Sequence, residues 1–300
     1  MGKFAKGCLI TAGIIILLGF ICVAASMATG GLRQTGEMIA NGDLSIDSDD
    51  MVVGVVGYNT EEIADFSDVD IKAADIKKLD IHVEGGRLWL RTTESDDFAL
   101  EATESRYSDV KYYVPGNTLY LKREYTATDL LGNNGDDEEI VLYVPADCQL
   151  EAVDINLGAG EIDMRDLVIA GEMDIDLGAG EVYGQQMTIG VLNVKVGAGE
   201  AIFEDSMTED MEVNVGMGNL EYRGAITKDL NAECSMGSVV FNLDGNEKEH
   251  NYSMDCAMGS IELEGRSYAG VASGVYLDNA ADSEFRVNCA MGSIELYFTE

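Results

Sequence analysis

Three glutamates, Glu161, Glu181 and Glu200, each follow a Gly-Ala-Gly triplet, at intervals of 20 and 19 residues. Carboxylate oxygens are the donors that calcium takes. Stacked at the ~5 Å spacing of neighbouring strands, three such charges also repel. The repulsion has three outlets: rotamers splayed into solvent, a raised pKa, or a cation bridging two repeats. Splaying is the simplest, so these glutamates are weak metal candidates and Ca²⁺ is the one cofactor they suggest. The triplet also invites a phosphate-loop reading. A third glycine is missing each time, no helical pattern follows, and one fold does not carry three consecutive phosphate loops, so the triplets read as structural corners.

Catalytic constellations are absent by motif. The two histidines, His82 on the outward side of a strand and His250 in a polar stretch beside Glu249, have no nucleophile partner. No His-Glu-x-x-His, Gly-x-Ser-x-Gly, P-loop or Cys-x-x-Cys occurs. No catalytic residue is assigned and the chain is expected not to be an enzyme. The enzymatic rival is a polysaccharide-active solenoid, which needs a defined carboxylate pair, whereas the acids here are widely spread. Beyond Gln34 there are 16 basic against 55 acidic residues, a net of −39. That excludes routine nucleic-acid binding, which needs cations, and disfavours lying flat on anionic lipid. It leaves a solvated, self-repelling surface, or one that binds cationic partners or metal ions.

The elements that position these residues come from the repeat. Taking the last glycine of each unit as a marker gives Gly160, Gly180, Gly199, Gly218, Gly237, Gly259 and Gly292, spaced 20, 19, 19, 19, 22 and 33 residues apart. Gly86 marks a more diverged copy. A period near 20 marks a stacked repeat architecture. Three positions before each marker stand Leu157, Leu177, Val196, Val215, Cys234, Cys256 and Cys289, and five before stand Ile155, Ile175, Val194, Val213, Ala232, Met254 and Val287. Polar residues lie between them, so each segment is a strand with one buried face. Alternation resumes after the marker. The expected fold is all-β: a single-stacked β-solenoid, parallel β-helix-like, with about 19–20 residues per rung. Its corner glycines are expected to supply a sharp bend and positive φ. Where the inward residue shrinks from Leu to Cys, the residue before the marker grows from Ala to Met (Met236, Met258, Met291). Shared occupancy of one core layer accounts for that exchange, and places these methionines inside.

Residues 8–29 carry no charge and follow Lys3 and Lys6. Their length suits a transmembrane helix, with residues 1–7 cytoplasmic and the remainder extracellular by the positive-inside rule. A cleaved signal peptide is the rival reading, from the small residues at Ser26-Met27-Ala28. Residues 30–77 read as a spacer, 78–150 as an N-terminal β region with the first rungs, and 151–300 as regular rungs with an insertion near 266–284. The segment 293–298 is expected to end the stack with an unpaired edge. Either the insertion covers it or self-association does. Of six cysteines, Cys234, Cys256 and Cys289 share the inward column and read as reduced core hydrophobes, although adjacent rungs bring their Cα atoms within disulfide range.

A short basic N-terminus, one apolar segment, the stretch Leu142-Tyr143-Val144-Pro145-Ala146-Asp147-Cys148-Gln149-Leu150 and then glycine-marked rungs form a recognisable combination. Over residues 77 to 300 the chain resembles the bacterial putative-adhesin family, a domain-of-unknown-function group of surface β-solenoids with LiaG-like members linked to envelope stress. The resemblance implies a surface solenoid and supplies no catalytic residues. The expectation is therefore a membrane-anchored extracellular interaction module with a cell-surface or envelope protein or glycan partner. The alternative is an accessory of envelope-stress signalling that acts through its membrane helix.

Overall fold

The computed structural model describes residues 44–47, 52–55, 71–72, 76–102, 108–125, 139–269 and 272–299. The chain divides into two compact units, Met1–Thr60 and Glu61–Glu300. In the first, within the expected spacer, β1 (Leu44–Asp47) and β2 (Val52–Val55) form an antiparallel pair.

Among its described residues the second unit is built from strands, apart from a 3-10 turn at Glu247–Glu249. In chain order these are β3 (Ile71–Lys72), β4 (Lys78–Thr93), β5 (Asp97–Ala102), β6 (Ser108–Tyr113), β7 (Thr118–Tyr125) and β8 (Glu139–Pro145). The regular rungs follow as β9 (Leu150–Arg165), β10 (Val168–Leu177), β11 (Glu181–Gln185), β12 (Thr188–Val196), β13 (Glu200–Val215), β14 (Asn219–Ile226), β15 (Leu230–Cys234) and β16 (Ser238–Asp244). The last are β17 (His250–Cys256), β18 (Ser260–Leu263), β19 (Arg266–Ala269), β20 (Ala272–Leu277), β21 (Ser283–Cys289) and β22 (Ser293–Thr299).

Parallel ladders join equivalent residues of successive rungs, as a solenoid requires. Ile175 lies beside Ile155 and Val194, and Leu177 beside Leu157 and Val196. The columns anticipated from alternation are buried throughout, from Leu157 to the cysteines. Each rung hides its apolar side only because its neighbours continue the column, so stability is shared along the stack.

Stacking order departs from chain order at both ends. At one end β7 and β8 lie outside β4, and antiparallel β6 and β5 edge them. At the other, β21 and β22 slot between the β15–β16 rung and the β17–β18 rung. Antiparallel β20 and β19 then edge β17 and β18. The final strand of the sequence is therefore an interior strand, and the bare edge expected at residues 293–298, with the self-association assigned to it, is corrected. The expected insertion does cover an edge, that of the rung outside it.

The transmembrane part of the expected architecture is also corrected. Among the described residues no helix is long and apolar enough to cross a membrane. Most apolar residues of the solenoid strands alternate with polar ones and are spent in its core. Residues 8–29, where the span was expected, lie outside the described residues. The single-pass topology, the cytoplasmic N-terminus, the extracellular placement and the membrane as a partner rested on that helix and are corrected with it.

Two local expectations fail for physical reasons. The marker glycines of the regular rungs are required by close approach between rungs, not by positive φ. A Cβ on Gly199 would lie 2.2 Å from the Gly180 carbonyl oxygen, and one on Gly180 2.4 Å from that of Gly160. Positive φ occurs instead at a second corner, at Asp166, Gln186 and Asp205, with φ of 59°, 55° and 50°. The corner methionines, moreover, point outward: Met217, Met236, Met258 and Met291 are 64, 53, 74 and 52 % exposed. The cysteines fill the core layer without them.

Candidate functional site: two outward faces

Each rung presents two outward faces, one from the strand before the glycine corner and one from the strand after it. Strand alternation aims the residues between the core columns at solvent, and parallel stacking lines them up from rung to rung.

On the face before the corner, Asp80, Asp154 and Asp174 stand on consecutive rungs in one register, followed by Asn193 and Glu212. The adjacent column holds Asn156, Asp176 and Lys195. The side chains of Asp80 and Asp154 are too short to splay far. Partial burial, followed by the Asp174 and Asp176 charges, raises the Asp154 carboxyl above its usual range, while Lys195 opposes. Burial and then Asp154 raise Asp80 in the same way. Among the described residues no ion pair reaches Asp154, Asp174, Asp176 or Glu212. Amides do the interleaving: Asn193 Nδ2 donates to Asp174 Oδ1 at 2.9 Å and to Glu172 Oε1 at 2.7 Å.

The face after the corner treats its acids differently. Asp163, only 5 % exposed, is held by Arg91 Nη1 at 2.7 Å and gripped by Arg165 through two bonds of 3.0 Å. Arg91 lies over the Trp89 ring at 4.9 Å and Arg165 over Tyr183 at 5.7 Å. The Tyr183 hydroxyl donates to Glu204 at 2.6 Å, and Arg223 joins Glu204 at 3.1 Å to Glu221 at 2.6 Å. Tyr297 donates towards both Glu262 and Glu295, at 3.1 and 2.9 Å. A strap of charge-assisted bonds thus crosses successive rungs.

The candidate ladder lies on this second face at the corner. Glu181 pairs in register with Glu161 and Glu200. Arg87 continues the column, with Nε 3.3 Å from Glu161 Oε2, and Glu139 lies beyond it. The column runs on through Asn219, Ser238, Ser293 and Ser260. Among the described residues no group of three or more His, Cys, Asp or Glu is placed to hold a metal ion. The three glutamates are brought into line but not folded around a common point.

A described serine–histidine contact, Ser283 with His250, has its hydroxyl directed to the Lys228 carbonyl. His250, expected in a polar stretch, is buried at the start of β17, stacked on Phe285 at 4.0 Å and 2.6 Å from Ser283 Oγ. Burial holds its pKa below the usual histidine value. Cys234, Cys289 and Cys256 stack in register as buried free thiols. Burial pushes Cys289 up to about 11, aided by the neighbouring Cys234, which suits inert core thiols. A cleft of about 570 Å³ lies between the turns at 93–96 and 145–149. The buried Cys148 thiol at its wall donates to the Ile76 carbonyl at 3.5 Å, and Lys77 is paired with Glu151.

What sequence reasoning missed is the contrast between the faces. Asp163 and Arg91 lie 72 positions apart in the chain, so only the ladder register brings them together.

Comparison with known proteins bears on the fold. Among curated proteins no relative matches the chain. A "putative cell adhesion protein" from Clostridium sporogenes is 12 % identical, with 77 % of this chain and 97 % of that one covered at a TM-score of 0.34. A "putative adhesin" from Bacteroides fragilis is 12 % identical over 76 and 94 % of the two chains, at 0.42. A "putative lipid binding protein" from Parabacteroides distasonis is 14 % identical over 77 and 95 %, at 0.37. The family model described as Toastrack DUF4097 matches residues 76–273, most of the solenoid, and the chain belongs to that family.

Proposed function

We propose that this chain is a non-catalytic, adhesin-like interaction module whose face before the corner docks a partner that presents cations. The observation that carries the reading is the uneven use of a scarce resource. The chain has 19 basic residues against 55 acidic. On the face after the corner, arginines hold Asp163, Glu204 and Glu221. Asp154, Asp174 and Asp176 go without, and burial followed by the neighbouring aspartate charges disfavours ionisation at Asp80 and Asp154. Acids crowded without an ion pair favour an external cation, and their summed field steers one in. A partner rich in lysine or arginine, protein or amino-bearing glycan, fits that chemistry.

The test is zero-length carbodiimide coupling of an oligolysine peptide to the full chain, with the joined carboxylates mapped by mass spectrometry. Coupling concentrated on Asp154, Asp174 and Asp176 supports the reading. Coupling concentrated on Glu204 and Glu221, or spread simply by exposure, would sink it.

A further inference from the structure

The exposed methionines form a column of their own. The amide of Met217 donates to the Gly197 carbonyl at 2.8 Å, that of Met236 to Gly216 at 2.8 Å, that of Met291 to Ser235 at 2.8 Å and that of Met258 to Ala290 at 2.7 Å. The four therefore occupy one position on four consecutive rungs, in the spatial order 217, 236, 291, 258. Earlier rungs place Ala159, Ala179 and Ala198 there. All four methionines are more than half exposed, which is unusual for a large apolar side chain repeated at a single site.

Their chemistry narrows what such a column binds. A thioether is a neutral, soft donor that selects Cu(I)-type ions over hard cations such as calcium. Rungs repeat at ~4.8 Å, about twice a metal–sulfur bond of ~2.3 Å, the length found for zinc thiolates. Two sulfurs from neighbouring rungs thus span one ion in the near-linear, two-coordinate geometry that Cu(I) and Ag(I) accept. The flexible methionine side chain needs little rearrangement to do so. The surroundings carry negative charge: Glu233 and Asp255 lie three residues before Met236 and Met258, and no Lys or Arg occurs in any of the four corner segments, 212–221, 233–240, 255–262 and 288–295. We propose that the methionine column is a binding site for a soft monovalent cation of the Cu(I) and Ag(I) class, held between thioethers of adjacent rungs. No electron transfer is involved.

Met207 is an internal control. It is 47 % exposed, yet its register neighbours are Thr188 and Ala225, so it has the same donor without a second sulfur beside it. The experiment is an Ag(I) titration of the full chain, labelled with ¹³C at the methionine methyls. Cys8→Ser and Cys22→Ser remove the thiols that lie outside the described residues. The expected result is that the methyl signals of Met217, Met236, Met291 and Met258 shift together and saturate by about two equivalents, while Met207 stays in place. Met236→Leu with Met291→Leu weakens binding at least tenfold, and Met207→Leu leaves it unchanged. The proposal is overturned if the four signals do not move, if Met207 shifts equally, or if the metal is taken up by the core cysteines with the methyls unaffected.

Discussion

The two outward faces are made by one repeat, in the same rungs, from strands separated by a single glycine corner, yet the acids near the start of the stack are held differently on each. After the corner, Asp163 sits between two arginines and Glu204 between Tyr183 and Arg223. Before it, Asp154 and Asp174 are stacked with one amide bridge and no arginine. A β-solenoid fixes the spacing of outward positions and leaves their chemistry free. One face can be cross-linked for stability while the other is left charged and available.

The corner that separates the faces gives the largest expected effect. Gly199→Ala puts a methyl against the Gly180 carbonyl, forcing adjacent rungs apart and breaking the register on which both faces depend. A loss of about 3 kcal/mol or more is expected in denaturant unfolding. A loss under about 1 kcal/mol would show that the rungs slide freely and that the faces are not rigid arrays.

Next comes the strap itself. Asp163→Ala strands Arg91 and Arg165 over a partly buried site and should cost roughly 2 kcal/mol, whereas Asp174→Ala on the other face should cost nothing or stabilise slightly. Equal losses at the two positions would erase the contrast.

The pH dependence is smaller and has a definite sign. The carboxyls of Asp80 and Asp154 are raised in the folded chain above the ordinary 3.8. Between that value and the raised one, the folded state holds more protons than the unfolded state, so this contribution grows as pH falls. His250 acts oppositely, because its folded pKa is lowered from 6.5 and stability is lost as pH drops through that region. The difference between the parent and Asp80→Asn with Asp154→Asn isolates the acids. The variant should be more stable at pH 7, by roughly 0.5 kcal/mol or less, with the gap closing towards pH 4. A gap that does not depend on pH would mean that the acids feel no mutual repulsion.

The smallest effect concerns the glutamate ladder. Glu161→Gln, Glu181→Gln and Glu200→Gln together should raise the melting temperature by a degree or two, about the size of a few tenths of a kcal/mol, and millimolar calcium should move parent and variant alike. A calcium-dependent rise confined to the parent would instead make the ladder an ion site.

Much of this architecture is legible in the sequence. Ile155, Ile175 and Val194 repeat at a fixed offset from a glycine, and a period of two within a period near 20 admits little but stacked strands. The order of the last rungs was not legible, because Cys256-Ala257-Met258-Gly259 and Cys289-Ala290-Met291-Gly292 are interchangeable as text. Only packing decides which lies inside. The methionines misled because swapping Ala for Met beside a shrinking core residue looks like volume exchange, although strand alternation could have placed Met236 opposite to Cys234 only with the corner geometry in hand. The arginine strap was invisible for a related reason: its members meet across rungs, and a linear pattern of acids does not say which of them face a cation.

The central claim, that the face before the corner is the docking face, is tested most directly by matched charge removal. Full-length Asp154→Asn, Asp174→Asn, Asp176→Asn and full-length Glu181→Gln, Glu200→Gln, Glu221→Gln lose the same three charges, one set from each face. Affinity for an oligolysine peptide at ~0.15 M salt, where screening acts over about 8 Å, would be measured for both against the parent. The account predicts at least a tenfold loss for the aspartate set and less than a twofold loss for the glutamate set. Equal losses would contradict it and reduce the acidic face to a share of the net charge.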